Sequence, residues 1–432
     1  MKLWQKGDDI DKAFERFTVG DDRELDRKLV KYDLLASRAH ARMLESIRLL
    51  TKKECKLIIA ELDRMLELDR KGEFRIRETS EDCHSEIEIR LTEALGDTGK
   101  KIHSGRSRND QVLVALKLFA KEQLTGLAGL LEELFYLLLD KSEQNKEVLM
   151  PGYTHMQMAM PSSFGLWFSA YAEGLSDDLI FLRAAYELAD KNPLGSAAGY
   201  GASFPLDREM TTRELGFAGL DVNAVYAQTT RGRLEKAVAM GISMLAGTLA
   251  RFANDVCVYS GQNFGFFELD RSFTTGSSIM PHKNNPDGFE LVRSQCNQLQ
   301  FLPTEINAIL VNLPTGYHRD LQLLKGTFMR AIQKMSDCLK ITISMTKGLE
   351  VRRKILDGPE YDLLFTVEDV NNRVMKGAPF RDAYREVAED VKSGRFQPDR
   401  SLAHTHIGSI GNLRNDLIKA AFMERISLWK ST

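Results

Sequence analysis

Apolar residues recur at steps of three and four along several long stretches of the chain, with polar residues between them. This spacing is typical of amphipathic α-helices. It is clearest in VLVALKLFAKEQLTGLAGLLEELFYLLLDKSEQ, which starts at Val112 and carries more apolar residues than one narrow stripe needs, so we expect much of this helix to be covered. Similar patterns predict long helices at 162–190, 230–262, 288–312 and 326–349.

Several of these helices exceed the average length of about 11–12 residues by two- or threefold, and long apolar helices usually lie side by side in a bundle. Five of them present more apolar surface than one slim bundle can bury. We therefore expect the chain to associate into an oligomer; a monomeric helical array is the alternative. Strand patterns are weak throughout the sequence, so the predicted fold class is all-α.

The length of 432 residues predicts two to four structural units, at roughly 100–200 residues each. The pattern changes near Lys354, where shorter amphipathic segments follow Gly358 and Pro359. A small C-terminal helical unit is therefore expected to begin there.

Charge and cysteine content exclude several classes of protein. The formal net charge is −2, so no basic excess indicates binding to nucleic acid or to an anionic membrane. The five cysteines are scattered and form no C-x-x-C pair, which favours a reduced, cytoplasmic protein. The N-terminus MKLWQKGDDIDKAFERF has no apolar core of a signal peptide, and the uncharged stretch Ala237–Ala250 is shorter than the ~20 residues of a membrane span. We interpret that stretch as a helix buried in protein.

Candidate chemistry lies in polar stretches between the predicted helices. These are TSEDCHSEIE (79–88), KIHSGRSRNDQ (101–111), MPGYTHMQ (150–157), GSSIMPHKNNPDGFE (276–290) and TGYHRDLQLLK (315–325). In the second, arginine side chains and backbone N–H groups at a helix start suit carboxylates or phosphates, although a capped helix with solvated arginines is the alternative. In the first, Asp82, His84, Glu86 and Glu88 are metal-type residues, but their spacing does not converge on one helix face.

The third and fourth stretches suit acid–base chemistry. His155 follows a predicted Pro-Gly turn, and histidine is a residue type that commonly acts as a general acid or base; a purely structural histidine is the alternative. Gly276 and two serines predict a mobile loop that closes over a site, or else a simple hinge. Lys283 can hold a carboxylate, and Glu290 can orient an imidazole. Together the stretches indicate acid–base chemistry on a small polycarboxylate without a cofactor.

These stretches resemble one known family. GSSIMPHKNNPD resembles the signature G-S-S-x-M-P-x-K-x-N-x of the fumarase/aspartase superfamily. The others are similar to its argininosuccinate lyase branch: HSGRSRNDQV to H-T-G-R-S-R-N-D-Q, MPGYTHMQMAMP to M-P-G-Y-T-H-x-Q-x-A-x-P, NPLGSAAGYGASFPLDRE to P-L-G-S-G-A-x-x-G-x-x-F-P-x-D-R-E, and YHRDLQLLK to Y-N-x-D-x-Q-x-x-K. The resemblance runs from about residue 3 to 350 in the same order and is weaker towards the C-terminus.

The resemblance implies an all-α subunit of three domains, at 1–105, 106–353 and 354–432, the central one a bundle of long helices. It also implies a homotetramer with a twenty-helix core, whose active sites each combine three subunits. The implied reaction is the reversible β-elimination of argininosuccinate to arginine and fumarate, in arginine biosynthesis, without metal or other cofactor.

Residue roles follow by position within the matching motifs. Ser277 is implied as the base on the mobile loop, and His155, oriented by Glu290, lies on the acid side. Lys283 and Asn285 are implied to hold the carboxylate that takes up charge. A serine can act as a base if loop N–H groups and a cation such as Lys283 stabilise its alkoxide. The remaining positions implied to bind substrate are Ser37, Arg108, Asn109, Thr154, Tyr317, Gln322 and Lys325.

The sequence departs from the family pattern at several places. Asn284 replaces a second lysine, His282 a glutamine and Ala36 a glycine. An acid is missing after Arg231, and Leu323-Leu324 replaces an acidic pair.

Three alternatives to an argininosuccinate lyase stay open, and the missing acids suggest the first of them. One is a lyase for an Nα-acylated argininosuccinate, which has no α-ammonium to recognise. The others are an adenylosuccinate lyase and a catalytically silent, crystallin-like structural protein. The intact Ser277, His155, Lys283 and Glu290 argue against the last of these.

Overall fold

The computed structural model describes residues 11–430. Residues 1–10 lie outside the described residues. The expectation about a signal peptide rests largely on them, and the predicted N-terminal domain begins with them. The described part of the chain is helical, in agreement with the predicted fold class. Its α-helices are α1 (Lys12–Val19), α2 (Asp22–Leu25), α3 (Val30–Ser46), α4 (Lys52–Arg70), α5 (Cys83–Leu95), α6 (Asp97–Lys100), α7 (Arg108–Gln144), α8 (Phe164–Ala189), α9 (Arg208–Glu214), α10 (Ala224–Thr229), α11 (Arg233–Tyr259), α12 (Asp287–Leu299), α13 (Leu302–Leu310), α14 (Leu323–Lys347), α15 (Thr366–Met375), α16 (Phe380–Lys392) and α17 (Asn415–Lys430). Short 3-10 helices occupy Asp26–Lys28, Lys101–His103, Arg271–Phe273, Arg319–Gln322, Ile355–Asp357 and Pro359–Phe365.

Four of the five predicted long helices are confirmed as α7, α8, α11 and α14, of 37, 26, 27 and 25 residues. In α7 the consecutive residues 112–116 are all buried. Five consecutive helical residues point around the whole circumference, so this part of α7 is covered on every side, as its apolar content predicted.

The predicted single helix at 288–312 is wrong. The structure has two helices there, α12 ending at Leu299 and α13 beginning at Leu302. Pro303 lies in the first turn of α13. A proline inside a continuous helix would remove one hydrogen bond and clash with the preceding turn, whereas the first turn tolerates it.

Three small two-stranded sheets interrupt the helices. β1 (Leu149–Thr154) and β2 (Gln157–Ser163) form an antiparallel hairpin, with Leu149 opposite Ser163 and Thr154 opposite Gln157. β3 (Lys191–Asn192) pairs in parallel with β4 (Gly219–Leu220), and β5 (Phe267–Glu268) pairs antiparallel with β6 (Glu350–Val351). The hairpin was not predicted, because Pro151, Gly152 and Pro161 within it are poor strand formers.

The chain forms two compact units. The first contains the residues up to Leu127, Phe181–Ser243 and Leu299–Lys334. In its interior Tyr32, Phe119 and Phe328 meet edge to face, and the fully buried ammonium of Lys117 pairs with Asp221. The predicted division into three domains stays a prediction.

The second unit contains Ala128–Ile180, Met244–Gln298 and the residues from Met335 onward. Its core is aromatic: Trp167 stacks on Phe252 at 5.4 Å and meets Tyr171 edge to face at 5.0 Å. Trp167 Nε1 and Tyr171 Oη both donate to Asp255 Oδ2, at 3.1 and 2.6 Å. The polar ends of both rings are therefore satisfied inside the core.

Among the described helices, α11 is the one whose length and composition would allow it to cross a membrane. It is longer than the uncharged stretch Ala237–Ala250 because the helix continues at both ends. Of the most apolar 18-residue stretch of α11, 56% is buried inside the protein, as is also found in core helices of soluble proteins.

Candidate active site

A cavity of about 520 Å³ in the first unit, here called the Arg108 cavity, brings three of the polar stretches together, and two of them, 101–111 and 315–325, carry predicted substrate-binding residues. Arg108 and Asn109 reach it from the start of α7, and Tyr317, Gln322 and Lys325 from the stretch before and into α14. Five of the predicted site residues thus converge although about 200 residues separate the two stretches. The other lining residues are Val19, Asp22, Glu81, Asp82, Glu88, His103, Ser107, Val112, Arg231 and Arg319.

Asp110 anchors the start of α7. Its carboxylate is buried and accepts the N–H groups of Ser107 (2.8 Å), Gly195 (2.9 Å) and Ala197 (2.8 Å). Burial raises the pKa of Asp110 to about 6, against the opposing effect of these donors. The glycine-rich loop that contains Gly195 is thereby tied to the helix end carrying Arg108 and Asn109.

Asp82 orients Arg108. Arg108 Nη1 donates to Asp82 Oδ2 in a short contact and to Ser85 Oγ at 2.9 Å. Asp82 is also the N-cap of α5 and accepts the N–H of Ser85 at 2.7 Å. Burial alone would raise the pKa of Asp82, but Arg108 and His84 outweigh it and hold that pKa below its usual range. Asp82 therefore stays charged and fixes the guanidinium at the cavity wall.

Lys325 is held by two carboxylates rather than left free for a ligand. Its Nζ lies 2.7 Å from Asp26 Oδ1 and 3.0 Å from Asp22 Oδ1. Burial would lower the pKa of Lys325, but the two carboxylates raise it above its usual range. Burial raises the pKa of Asp22, which lines the cavity. The sequence analysis missed both acids, because nothing local connects residues 22–26 to residue 325.

Ser37 lies in the interior and does not line the Arg108 cavity. Its hydroxyl is fully buried, donates to Asp33 Oδ1 at 3.3 Å and accepts from Arg106 Nη1 at 2.9 Å. Asp33 also contacts His84 Nδ1 at 3.0 Å and accepts from Gln111 Nε2 at 3.0 Å. This buried network connects α3, α5 and α7 beneath the cavity.

A local pattern could have revealed part of this network. Asp33, Ser37 and His40 follow one another at steps of four and three along α3, so they share one face of a helix whose other buried positions are apolar. A polar stripe on a buried helix indicates a hydrogen-bonded network. The structure shows all three side chains fully buried.

A second cavity, here called the lid cavity, has a volume of about 610 Å³ and lies in the second unit. Lys283, Asn285 and Glu290 line it, together with Cys257, Val258, Ser260–Phe264, Met280, His282, Asn284 and Pro286. The ends of its loop are clamped by a backbone pair, Thr275 N to Asn285 O at 3.3 Å and Asn285 N to Thr275 O at 2.8 Å. The exposed residues between them form the segment predicted to be a lid.

Ser277 lies in its loop with two backbone N–H groups beside its hydroxyl. Its half-buried Oγ accepts the backbone N–H of Met280 at 3.2 Å and lies 3.4 Å from that of Ile279. Two N–H dipoles directed at one oxygen favour its negative form. Ser277 is not among the residues that line the lid cavity.

Thr154 and His155 lie at the exposed tip of the β1–β2 hairpin and line neither cavity. His155 does not follow a Pro-Gly turn, as the sequence analysis assumed, because Pro151 and Gly152 belong to β1. The turn is His155-Met156 itself, with φ of 52° and 60°. Two-residue hairpins need this positive φ, which projects the imidazole outward. Glu290 lines the lid cavity and His155 does not, so the orientation of His155 by Glu290 stays a prediction.

One set of metal-type side chains occurs among the described residues. Asp26, Cys83 and His84 are buried, with ligand atoms within 4.8 Å of one another. Asp26 already forms an ion pair with Lys325, and burial raises the pKa of the Cys83 thiol well above its ordinary value. A neighbouring ammonium and a protonated thiol do not suit a divalent cation. All five cysteines are free.

Comparisons with known proteins agree on one family. A family model described as lyase matches residues 5–300. An argininosuccinate lyase of Parabacteroides distasonis is 55% identical over 420 residues, which cover 97% of this chain and 94% of that protein. An argininosuccinate lyase of Bacteroides fragilis is 54% identical and covers 99% of this chain and 95% of its own length. The crystal structure of a class II fumarase from Schistosoma mansoni superposes with a TM-score of 0.76 over 96% of this chain and 92% of that one; at 17% identity this likeness concerns the fold.

Proposed function

The chain belongs to the lyase family that includes the argininosuccinate lyases, and we propose that it catalyses the reversible β-elimination of argininosuccinate to arginine and fumarate. The observation that carries the proposal is the convergence of Arg108, Asn109, Tyr317, Gln322 and Lys325 on one cavity. A site built from guanidinium, amide and hydroxyl groups suits a substrate with three carboxylates.

In the proposed reaction Ser277 removes a proton from the succinyl carbon next to the C–N bond. The electron pair of that C–H bond becomes the C=C bond of fumarate, and the C–N electrons leave with the guanidino group, which takes up a proton on the side of His155. Lys283 and Asn285 hold the carboxylate on which negative charge develops. The two N–H groups directed at Ser277 Oγ support its role as the base.

We propose that this site is assembled from three copies of the chain in a homotetramer with a twenty-helix core. Apart from the buried Ser37, the predicted residues form three groups within one chain: those of the Arg108 cavity, those of the lid, and the hairpin tip with Thr154 and His155. Large apolar side chains on the long helices are exposed in the single chain, which supports association. They include Ile180 and Phe181 of α8, Met244 of α11, and Leu323 and Ile341 of α14.

The free amine, rather than an Nα-acylated form, is the proposed substrate. The acylated alternative rested on acids missing from the sequence pattern, but four other carboxylates line the Arg108 cavity: Asp22, Glu81, Asp82 and Glu88. Such a cavity offers partners to an α-ammonium group. Steady-state kinetics with both compounds test this, and a preference for the acylated one would contradict it.

The enzyme is proposed to act in the cytoplasm in arginine biosynthesis. An adenylosuccinate lyase and a silent structural protein are the remaining alternatives. The ultraviolet absorbance of fumarate, measured on the purified protein with argininosuccinate and then with adenylosuccinate, separates the three. Release from argininosuccinate alone is the expected result.

Ser277→Ala tests the chemistry, with Ser278→Ala as its matched control one residue away. Removal of an acid–base group typically costs about 10²–10⁴-fold in rate. We expect that loss for Ser277→Ala with unchanged oligomeric state, and near-normal turnover for Ser278→Ala. Equal activities of the two variants would exclude Ser277 as the base.

A further inference from the structure

A third cavity, here called the Arg231 cavity, has a volume of about 540 Å³ and lies in the first unit. It is lined by three cations, Arg231, Arg233 and Lys236, and no acidic residue is among its described lining residues. The predicted chemistry and the proposed reaction leave this cavity unused.

Arg231 brings a buried positive charge with one unsatisfied donor to the cavity. The side chain is only 7% exposed, and its Nε makes no hydrogen bond in the described part of the chain. The guanidinium lies 5.0 Å from the ring centroid of Tyr317, a cation–π contact that leaves its edge available. The buried Glu235 lies near enough for this guanidinium to oppose the rise that burial gives the pKa of Glu235, but the Nε donor itself has no partner among the described residues, and a bound anion would supply one.

The other two cations are also free to receive an anion. Arg233 is exposed, and its guanidinium carbon lies 5.9 Å from the ring centroid of Tyr226 in a cation–π contact. Lys236 Nζ donates to a neutral acceptor, Asn307 Oδ1, at 2.8 Å and retains two further donors. Glu235, the acid nearest in sequence, does not line the cavity: it is buried, and its carboxylate accepts the N–H of Gly232 at 2.6 Å.

The rest of the wall is apolar. Leu188, Ala237, Met240, Leu310 and Leu313 line it, so one part of the cavity is hydrocarbon and the other carries positive charge. Inorganic phosphate would use only the charged part. The lining matches an organic anion, with a carboxylate head and an aliphatic body.

We propose that the Arg231 cavity binds a small aliphatic carboxylate, with its head group on Arg231, Arg233 and Lys236 and its chain on the leucine wall. This site goes beyond the proposed reaction, although Arg231 borders the Arg108 cavity as well. The two cavities therefore share one cation.

Isothermal titration of the purified full-length protein with hexanoate tests the proposal. Hexanamide, which has the same chain without the charge, should bind at least tenfold more weakly, because it lacks the charged head. Acetate should also bind at least roughly tenfold more weakly, because each buried CH₂ contributes about 0.8 kcal/mol. Equal binding of hexanoate and hexanamide would overturn the assignment.

Variants locate the binding. Arg233→Ala with Lys236→Ala should weaken hexanoate binding at least tenfold, whereas Arg213→Ala, an exposed arginine of the same unit outside the cavity, should leave it unchanged. Lys283→Ala should also leave it unchanged. Loss of binding in Lys283→Ala but not in the double variant would place hexanoate in the lid cavity and refute the proposal. The fumarate assay is independent of these titrations, so failure of the proposed function and failure of this inference are distinguishable.

Discussion

Lys325 and Asp26 form a buried ion pair across 299 residues of sequence, with Nζ 2.7 Å from Oδ1. Lys325 is 4% exposed and Asp26 is fully buried. The pair ties the 3-10 helix Asp26–Lys28 to the first turn of α14 and fixes one wall of the Arg108 cavity. Lys325, which the family resemblance implies is a substrate contact, is therefore also a structural part of its unit.

The first prediction concerns this pair. Lys325→Met leaves Asp26 buried without a counter-charge, which typically costs about 3–5 kcal/mol. We expect a decrease of that size in the free energy of unfolding in urea. Arg330→Met on the same helix is the control, because Arg330 is 64% exposed and its pair with Asp21 should contribute less than about 1 kcal/mol. A similar small effect of both substitutions would show that the buried pair does not stabilise the fold.

The second prediction concerns His40, a fully buried histidine whose Nε2 donates to Ser104 O at 2.9 Å. Burial, reinforced by Arg106, lowers the pKa of His40 to about 3. The unfolded chain gains a proton near pH 6.5 and the folded protein does not, so stability is complete above about pH 6.5 and is lost as the pH falls towards 3. The slope approaches about 1.4 kcal/mol per pH unit.

His40→Gln keeps a donor for Ser104 O but cannot titrate. The difference in apparent melting temperature between the wild type and this variant should therefore shift in favour of the variant between pH 6.5 and 4. Parallel pH profiles of the two proteins would contradict the assignment of a neutral buried His40.

The third prediction concerns Asn284, which lines the lid cavity next to Lys283. Asn284→Lys adds a second exposed cation where the proposed dicarboxylate approaches. An exposed charge pair is worth about 0.2–1 kcal/mol, so KM for argininosuccinate should fall by up to about fivefold at low salt. The gain should shrink at high ionic strength, because screening shortens the range of the charge. A salt-independent change in KM would point to another cause.

The fourth prediction concerns Arg108, whose Nη1 contacts both Asp82 and Ser85. Arg108→Lys keeps the charge but cannot hold these partners and a substrate carboxylate in one planar arrangement. Loss of one charged hydrogen bond costs about 1.5–3 kcal/mol, or roughly ten- to a hundredfold in kcat/KM. Arg64→Lys, at an exposed pair with Glu61, is the matched control and should leave kcat/KM unchanged. Equal kcat/KM of both variants would separate Arg108 from substrate binding.

The spacing of apolar residues along the chain was sufficient to predict much of the architecture. Helical periodicity located α7, α8, α11 and α14, because an amphipathic or fully apolar helix repeats its environment every three to four residues. It failed at Pro303, where a backbone restriction ended one helix inside an apolar run. It also misplaced the turn at His155, because proline and glycine inside a strand imitate turn residues.

The candidate residues were recognisable in sequence, but their partners were not. Motifs named Arg108 and Lys325, and Asp82 was noted only as a metal-type residue. The ion pairs that join these two cations to Asp82, Asp22 and Asp26 were found in the structure. The sequence showed that the acid usual after Arg231 is missing. Only the structure showed that Arg231 is buried beside a cavity that has no acid among its described lining residues.

The sequence by itself determined the helical class, the family and the residue types available for chemistry, because periodicity and motif spacing are properties of neighbouring positions. The tertiary structure alone decided which charges are paired, buried or open to a ligand. Those properties depend on groups that are hundreds of residues apart in the chain and a few ångströms apart in space, where burial makes each unpaired charge expensive.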